Sequence, residues 1–402
     1  MELFYFGSVC NQNIFDTTVA KSKKKPSASA QNFEMSLIKG FYQNDVSLTI
    51  VTAESIAMYP RGNRLFLKKR NDELFDGCYC TVLPSINLPI IKQILHARNA
   101  CVELKKWLKS NKNNTDKAVL FYGMYPSVVK KIFPLLGKYS CKAFCVMTDL
   151  PSTMYTYSSD GKKFSFFTRR NRQLALEYQG KFDGYILLTE QMHMAVAPDK
   201  PYIVVEACID CTVFEDVGKI EKKKALMYAG ALYKKYGIDV IIDAFEMLDT
   251  DYELWLFGSG DLEKEIVEKA KRTSNIKFFG RVSKKEVLKK EKEAEFLLNL
   301  RPEKEKYTKY SFPSKMTEYM LSGTPMITSK LVGIPDEYYQ HTFTVISNDI
   351  KGIVRELHLI LSQNPDTIIA VGKSAKQFIM DKKNNILQTR RIVDFIKQTL
   401  KY

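Results

Sequence analysis

The chain has 402 residues, 45% hydrophobic and 12% aromatic, which suits two or three domains at about 100–200 residues each and excludes a disordered composition. No uncharged apolar run nears the roughly 18 residues of a membrane-spanning helix. The formal charge is +16, with +12 of it in residues 1–200. That imbalance points either to an anionic partner or to ordinary lysine-rich solvated surfaces.

The chain starts MELFYFGSVCNQ, without the basic start and apolar stretch of an export signal. The eight cysteines are therefore expected as reduced, inert thiols in a cytosol. Cys208 and Cys211 have C-x-x-C spacing, but no second pair matches it as half of a zinc site.

In chain order, strands are predicted at 2–7, 46–53, 79–83, 118–122, 142–148, 184–188 and 202–206. The stretch QNFEMSLIKGF carries Phe33, Leu37 and Phe41 at helical spacing, and 89–110 and 167–179 read as further helices. SKKKPSASA (22–30) reads as a loop. After a charged seam at 215–224 the alternation restarts. Strands are predicted at 225–230, 253–258, 276–280, 296–300 and 325–329, and helices at 237–248, 261–272 and 283–293, with a last helix at 386–400. Strand–helix alternation predicts α/β architecture with parallel, doubly wound sheets. Two such runs predict two Rossmann-like domains joined by a linker near 207–224.

In open parallel sheets, ligands bind beyond the carboxyl ends of the strands. Three loops qualify. Gly258-Ser259-Gly260-Asp261 allows close backbone approach, or is a tight turn with Asp261 capping a helix. Lys234 and Lys235 follow the strand ending at Gly230; they suit a diphosphate, or are solvated loop lysines. The third is SFPSKMTEYMLSGTP (311–325), where Ser311 or Ser314 is expected to cap a short helix with Pro313 in its first turn and Gly323 at its end. A helix start offers free N–H groups and partial positive charge to phosphate oxygens. Glu318, one turn deeper on the face of Ser314, is placed to accept from sugar hydroxyls; alternatively it forms a solvent-exposed pair with Lys315.

From YAGALYKKYGIDVIIDAF through FGSG, NIKFFGRVSKKEV and SFPSKMTEYMLSGTPMI to GIPDEY, the chain resembles the C-terminal domain of retaining GT-B glycosyltransferases of family 4, in a capsule and exopolysaccharide branch. FDGYILLTEQM and KPYIVVEACID are similar to the same branch. The resemblance implies the GT-B fold: two Rossmann-like domains facing across a cleft, with the C-terminal helix crossing back. Residues 1–206 with 386–402 would bind the acceptor and 207–385 the nucleotide-sugar. Glu318 matches the second glutamate of the family's E-x7-E motif, which binds donor ribose; the first falls on Tyr310, where this sequence departs. Ser311, Phe312, Pro313, Ser314 and Lys315 would complete the donor-side helix start.

The family's usual Arg and Lys for the diphosphate are replaced by Ala231 and, nearby, Tyr236, so Lys234, Lys235 or Arg301 would substitute. Gly230, Gly258 and Gly260 would lie along the donor, Arg281 and Val282 would meet the base, and Gly7 and Ser8 would approach the donor phosphates and acceptor. Thr148-Asp149 stands where many relatives have His-Asp, leaving Asp149 as the acceptor-side polar group.

The implied activity is retaining transfer from a UDP-sugar, or less expectedly a GDP- or ADP-sugar, to a glycan acceptor on a lipid. Its place would be the cytoplasmic face of an anionic membrane, with no metal or other cofactor. Lys23–Lys25, Lys68–Arg70, the run 162–172 and the basic amphipathic helix 88–112 would supply the membrane-facing charge. No nucleic-acid-binding motif accompanies that charge. A catalytically silent GT-B partner of another transferase and a nucleotide-sugar 2-epimerase are the other readings.

Overall fold

The computed structural model describes residues 1–154, 166–213, 220–305 and 307–401. The chain forms two compact units, Met1–Ile209 with Asn385–Tyr402, and Asp210–Asn384. Parts of the 162–172 run and of the 215–224 seam lie outside the described residues.

The first unit runs β1 (Glu2–Gly7), α1 (Gln12–Lys21), α2 (Ala28–Gln43), β2 (Ser47–Thr52), β3 (Phe66–Leu67), β4 (Arg70–Phe75), β5 (Cys78–Val82), β6 (Ser85–Ile86) and α3 (Ile91–Ser110). It continues with β7 (Lys117–Tyr122), α4 (Pro126–Lys138), β8 (Lys142–Met147), α5 (Pro151–Met154), α6 (Phe166–Tyr178), β9 (Gly184–Leu187), α7 (Gln191–Val196) and β10 (Tyr202–Val204). The second unit runs β11 (Lys223–Ala231), α8 (Ile238–Met247), β12 (Glu253–Ser259), α9 (Glu263–Arg272), β13 (Ile276–Gly280), α10 (Lys284–Glu293), β14 (Ala294–Asn299), α11 (Ser314–Ser322), β15 (Met326–Ser329), β16 (Phe343–Val345), α12 (Ile350–Leu361) and α13 (Pro365–Lys382). The last helix, α14 (Asn385–Leu400), belongs to the first unit.

The main sheet of the first unit has the order β10-β9-β8-β7-β1-β2-β5-β4. All its pairings are parallel except β4 with β5. The second sheet, β13-β12-β11-β14-β15-β16, is wholly parallel. Helices cover both faces of such sheets, so central strands are apolar at consecutive positions. Leu3 to Phe6 and Ala118 to Phe121 are all fully buried.

Helix α14 adds Ile392, Val393 and Ile396 to the first unit's core. Each buried side chain of this size contributes about 1.5–3 kcal/mol. Gly40 on α2 makes the close packing possible: a Cβ there would stand 2.4 Å from the Asn385 carbonyl oxygen. The Asn44 amide then donates to the Ile386 carbonyl and the Thr389 hydroxyl.

Several expectations are corrected. The 22–30 loop gives way to α2 at Ala28, because the Ser27 hydroxyl accepts from the Ala30 N–H and starts the helix early. The strand expected at 202–206 ends at Val204. Six helices were not foreseen: α1, α4, α5, α7, α12 and α13. Nor was β4, beside which β5 returns antiparallel after a turn with Gly77 at φ +75°. The basic helix expected at 88–112 starts at Ile91, and its buried face includes Leu104, Trp107 and Leu108. Ile91, Ile94 and Val102 of that helix are exposed. All eight cysteines are free thiols.

Candidate functional site

Each doubly wound sheet has one place where successive connections leave in opposite directions, and ligands bind in the crevice there. In the second unit that place lies between β11 and β14, with β12 and β13 on one side and β15 and β16 on the other. The loops after β11 and β14, and the start of α11, converge there.

Helix α11 is held by Tyr319. Its hydroxyl accepts from the Ala229 N–H at 2.8 Å and donates to the Ala229 carbonyl at 3.2 Å. That double bond ties the helix to the last residues of β11. The helix ends at Gly323, whose φ of +77° suits glycine. Its start differs from expectation: Pro313 is the cap residue and no side chain caps it, so neither Ser311 nor Ser314 serves. The Ser311 hydroxyl is buried without a hydrogen-bond partner among the described residues, and Ser314 is exposed as the first helical residue. The first N–H groups of α11 thus carry no side-chain acceptor, the arrangement that receives an anion. Phe312 is buried against Tyr338, at 5.1 Å between ring centroids.

The Lys315–Glu318 pair is not a solvent-exposed pair. Its side chains are 23% and 20% exposed, with Nζ to Oε2 at 2.7 Å. A third titratable group, Glu291 at the end of α10, is fully buried with an oxygen 3.8 Å from the same ammonium. Its two oxygens accept no hydrogen bond among the described residues. Burial pushes the Glu291 carboxyl up to about 8, against the pull of Lys315. Burial works against the Lys315 charge, yet Glu318 and Glu291 raise its pKa to about 12. For Glu318, burial raises the pKa, but Lys315 outweighs it and holds the carboxyl below its ordinary value. The Lys315 ammonium is therefore paired with the Glu318 carboxylate, and burial favours the neutral form of Glu291. The desolvated charges are matched one to one, which a buried ion pair requires.

Around the other side of the crevice, the Arg301 guanidinium lies 4.9 Å from the Tyr236 ring centroid and donates from Nε to Asn299 Oδ1. The Tyr307 hydroxyl donates to the Lys235 carbonyl at 2.7 Å. Lys235 itself lies 5.1 Å from the Tyr236 ring centroid. Gly237 allows this loop to sit against β14: its φ is +78°, and a Cβ would stand 2.0 Å from the Leu300 carbonyl oxygen.

The structure brings together Gly230, Lys235, Arg301, Lys315 and Glu318. Lys234 is 81% exposed and turned to Asp239. Gly258 and Gly260 pack on backbone: a Cβ would come within 1.8 Å of the Gly230 oxygen and 2.3 Å of the Leu232 oxygen, respectively. Asp261 does not cap α9; Leu262 precedes that helix, with no side-chain cap bond. Arg281 and Val282 follow β13, the strand at the far edge of the sheet. Tyr310 ends a short 3-10 turn, with the Lys309 ammonium 5.4 Å from its ring centroid. Sequence reasoning missed Glu291, Tyr236 as a platform, Tyr307 and Tyr319.

In the first unit the corresponding crevice lies between β1 and β7. Gly7 ends β1 and Ser8 follows it, Tyr125 follows β7, and the exposed Asp149 follows β8, with the Thr148 hydroxyl donating to it at 3.5 Å. Beneath Gly7 and Ser8 lies the fully buried Glu34 of α2, which sequence reasoning also missed. Among the described residues no three His, Cys, Asp or Glu side chains gather in a way that could hold a metal ion.

Residues 212–383 match the family Glycosyl transferases group 1, which makes this segment a glycosyltransferase domain. No curated protein matched the chain in sequence. Among solved structures, sucrose-phosphate synthase from Thermosynechococcus elongatus superposes with a TM-score of 0.66 at 12% identity, covering 99% of each chain. Anabaena HepE, solved with UDP and glucose, superposes at 0.63 and 12% identity, covering 99% of this chain and all of its own. A variant of S. aureus TarM, solved with Fondaparinux, α-GlcNAc-glycerol and UDP, gives 0.61 and 12%, covering both chains completely. At these identities the likeness is one of fold, and the fold is GT-B.

Proposed function

We propose that this glycosyltransferase is a retaining enzyme of family 4. It moves a sugar from a UDP-sugar to a lipid-linked glycan acceptor during cell-surface polysaccharide synthesis. The observation that carries the reading is the uncapped start of α11 at the switch point of the second unit, with Glu318 one turn inside and kept ionised by Lys315. The N-terminal N–H groups suit the diphosphate and the carboxylate suits the ribose hydroxyls. HepE and TarM, of the same fold, were solved with UDP.

In this reading the bond from the sugar's anomeric carbon to the diphosphate oxygen breaks as the acceptor oxygen bonds to that carbon from the same face. The acceptor's proton passes to a leaving phosphate oxygen. The protein's part is to hold both substrates and to stabilise the negative charge that develops on the diphosphate. Arg301, Lys235 and the α11 start do so on the donor side, and Asp149 orients the acceptor hydroxyl. Calorimetry of the purified chain against UDP, GDP, ADP and their sugars tests the donor assignment. Saturable binding of UDP and one UDP-sugar is expected, and no binding of any nucleotide would remove the reading.

The acceptor's lipid is read from the basic first unit. No helix of the described residues is long and apolar enough to cross a membrane. Arg169, Arg170 and Arg172 of α6 are exposed. Each basic residue near an anionic surface is worth about 1 kcal/mol. Reversing all three to Glu is expected to lower binding to phosphatidylserine vesicles more than a hundredfold at physiological salt. Unchanged vesicle sedimentation would remove membrane docking through α6 from the proposal.

A second reading, a GT-B partner without turnover, draws on one observation. Tyr310, Ala231 and Thr148 stand where polar donor- and acceptor-side groups are usual. It predicts nucleotide binding with no sugar release from any donor, or no binding at all.

A further inference from the structure

The crevice of the first unit is floored by a carboxyl that nothing above uses. Glu34 of α2 is fully buried and lies directly under the turn that follows β1. Its Oε1 accepts from the Ser8 N–H at 2.8 Å, and its Oε2 accepts from the Ser8 hydroxyl at 2.9 Å. The fit at Gly7 is close: a Cβ there would stand 1.7 Å from Oε1, so the Glu34 carboxyl would have to move. Among the described residues Glu34 forms no ion pair. The titratable groups facing it are phenols: Tyr5 on β1, Tyr122 on β7 and Tyr125 just after β7. A carboxylate buried without a cation depends on hydrogen bonds for its charge.

Ser8 is only partly buried, and its turn is on the rim of the crevice between β1 and β7. A serine hydroxyl has one proton to donate. While Glu34 is ionised, that proton is committed inward to Oε2. When Glu34 carries a proton, its own O–H donates to Ser8 Oγ, and the serine proton is released toward the Tyr125 hydroxyl beside it and the crevice.

We propose that Glu34 is a positioning residue for this crevice. Its carboxyl fixes the Gly7–Ser8 turn, and its protonation turns the Ser8 hydroxyl from an inward donor into a donor toward a ligand oxygen. That the ligand oxygen belongs to a phosphate or sugar hydroxyl rests on the glycosyl-transfer reading; the coupling between Glu34 and Ser8 does not.

Burial pushes the Glu34 carboxyl up to about 7, although the bonds from Ser8, the Val9 N–H and the Tyr5 hydroxyl pull the other way. The switch therefore falls near neutrality. For stability the sign is that of a raised acid. The folded chain holds this proton more tightly than the unfolded chain, so the contribution is fully present below the ordinary value of 4.5. It is lost as pH rises through about 7.

The test uses the full chain with 15N-labelled serine, its Ser8 amide signal assigned by loss in Ser8→Ala. In the wild type the Ser8 amide shift is expected to titrate with a midpoint near 7. In Glu34→Gln, whose amide N–H donates permanently to Ser8 Oγ, the shift should be flat across pH 5.5–8.5. The wild-type melting temperature should also fall relative to Glu34→Gln as pH rises through this window. Turnover of the UDP-sugar should show the same ionisation in the wild type and lose it in both Glu34→Gln and Ser8→Ala. A Ser8 amide that does not titrate overturns the coupling, and so does a transition that persists in Glu34→Gln. If Glu34→Gln does not fold, the wild-type amide titration and the Ser8→Ala rate profile decide alone. A titrating Ser8 with a rate profile untouched by either variant overturns the positioning role. No turnover of any donor, with Ser8 titrating, overturns the glycosyl-transfer reading and leaves the Glu34–Ser8 coupling standing.

Discussion

Glu318→Ala will weaken UDP binding about 30- to 150-fold while lowering the melting temperature by only a few degrees. A hydrogen bond to a charged group contributes about 1.5–3 kcal/mol, and a carboxylate that takes both ribose hydroxyls loses roughly 2–3 kcal/mol of binding when removed. The stability argument is less obvious, because stripping one partner from a buried pair usually costs about 3–5 kcal/mol. Here the Lys315 ammonium has a reserve partner, Glu291, 3.8 Å away, whose neutral form burial favours while Glu318 is present. When Glu318 is removed, Glu291 ionises in its place and the lysine stays paired. Removing Glu291 as well takes away that reserve, so Glu318→Ala with Glu291→Ala should melt far lower than either single variant. Calorimetry gives the affinity and thermal scans the stability. A Glu318→Ala protein that is strongly destabilised, yet binds UDP normally in its folded fraction, would make Glu318 a structural residue only.

Gly258→Ala is expected to cost at least about 3 kcal/mol and to lower the melting temperature of the second unit by roughly 6–12 °C. Two costs combine. The φ of +126° lies where side-chain-bearing residues are strained, at about 1–3 kcal/mol. The added Cβ would also stand 1.8 Å from the Gly230 carbonyl oxygen, on the neighbouring strand and paired in register. Backbone at that point cannot rotate away as a side chain would, so β11 and β12 must separate. Gly280→Ala is the control: its φ is +64°, and the nearest atom lies 3.9 Å away, at the tip of Phe278. It should show only the conformational cost, about 1 kcal/mol. A stable Gly258→Ala protein that has lost UDP binding would instead assign this glycine to ligand approach, as the Gly258-Ser259-Gly260 turn first suggested.

Local periodicity explains which parts of the fold were legible. Fully buried parallel strands read as short apolar runs because both faces are covered, as in Leu3–Phe6 and Ala118–Phe121. The polar β4 and the helix α13 carry weaker signals. Arg70-Asn71-Asp72 looks like a surface loop until β5 supplies its hydrogen-bond partners. The start and stop of α11 were legible from Pro313 and Gly323, but which residue caps it was not. A serine is a good cap by type, and only the position of the preceding chain decides whether its hydroxyl faces the free N–H groups.

By itself the sequence determined the alternation of strand and helix, the second restart after the charged seam, and the spacing that sets Glu318 one turn behind a helix start. These are short-range properties, written in neighbours three or four residues apart. The tertiary structure alone decided that Glu291, within the charged run KKEVLKKEKE, is buried beside Lys315. It also decided that Tyr319 ties α11 to β11, that Gly258 serves its neighbouring strand, and that Glu34 lies beneath Ser8. Each of those depends on desolvation and on partners 20 to 90 residues away. A charged residue has the same local signature in water as in a buried cluster, and only the packing of distant elements distinguishes the two.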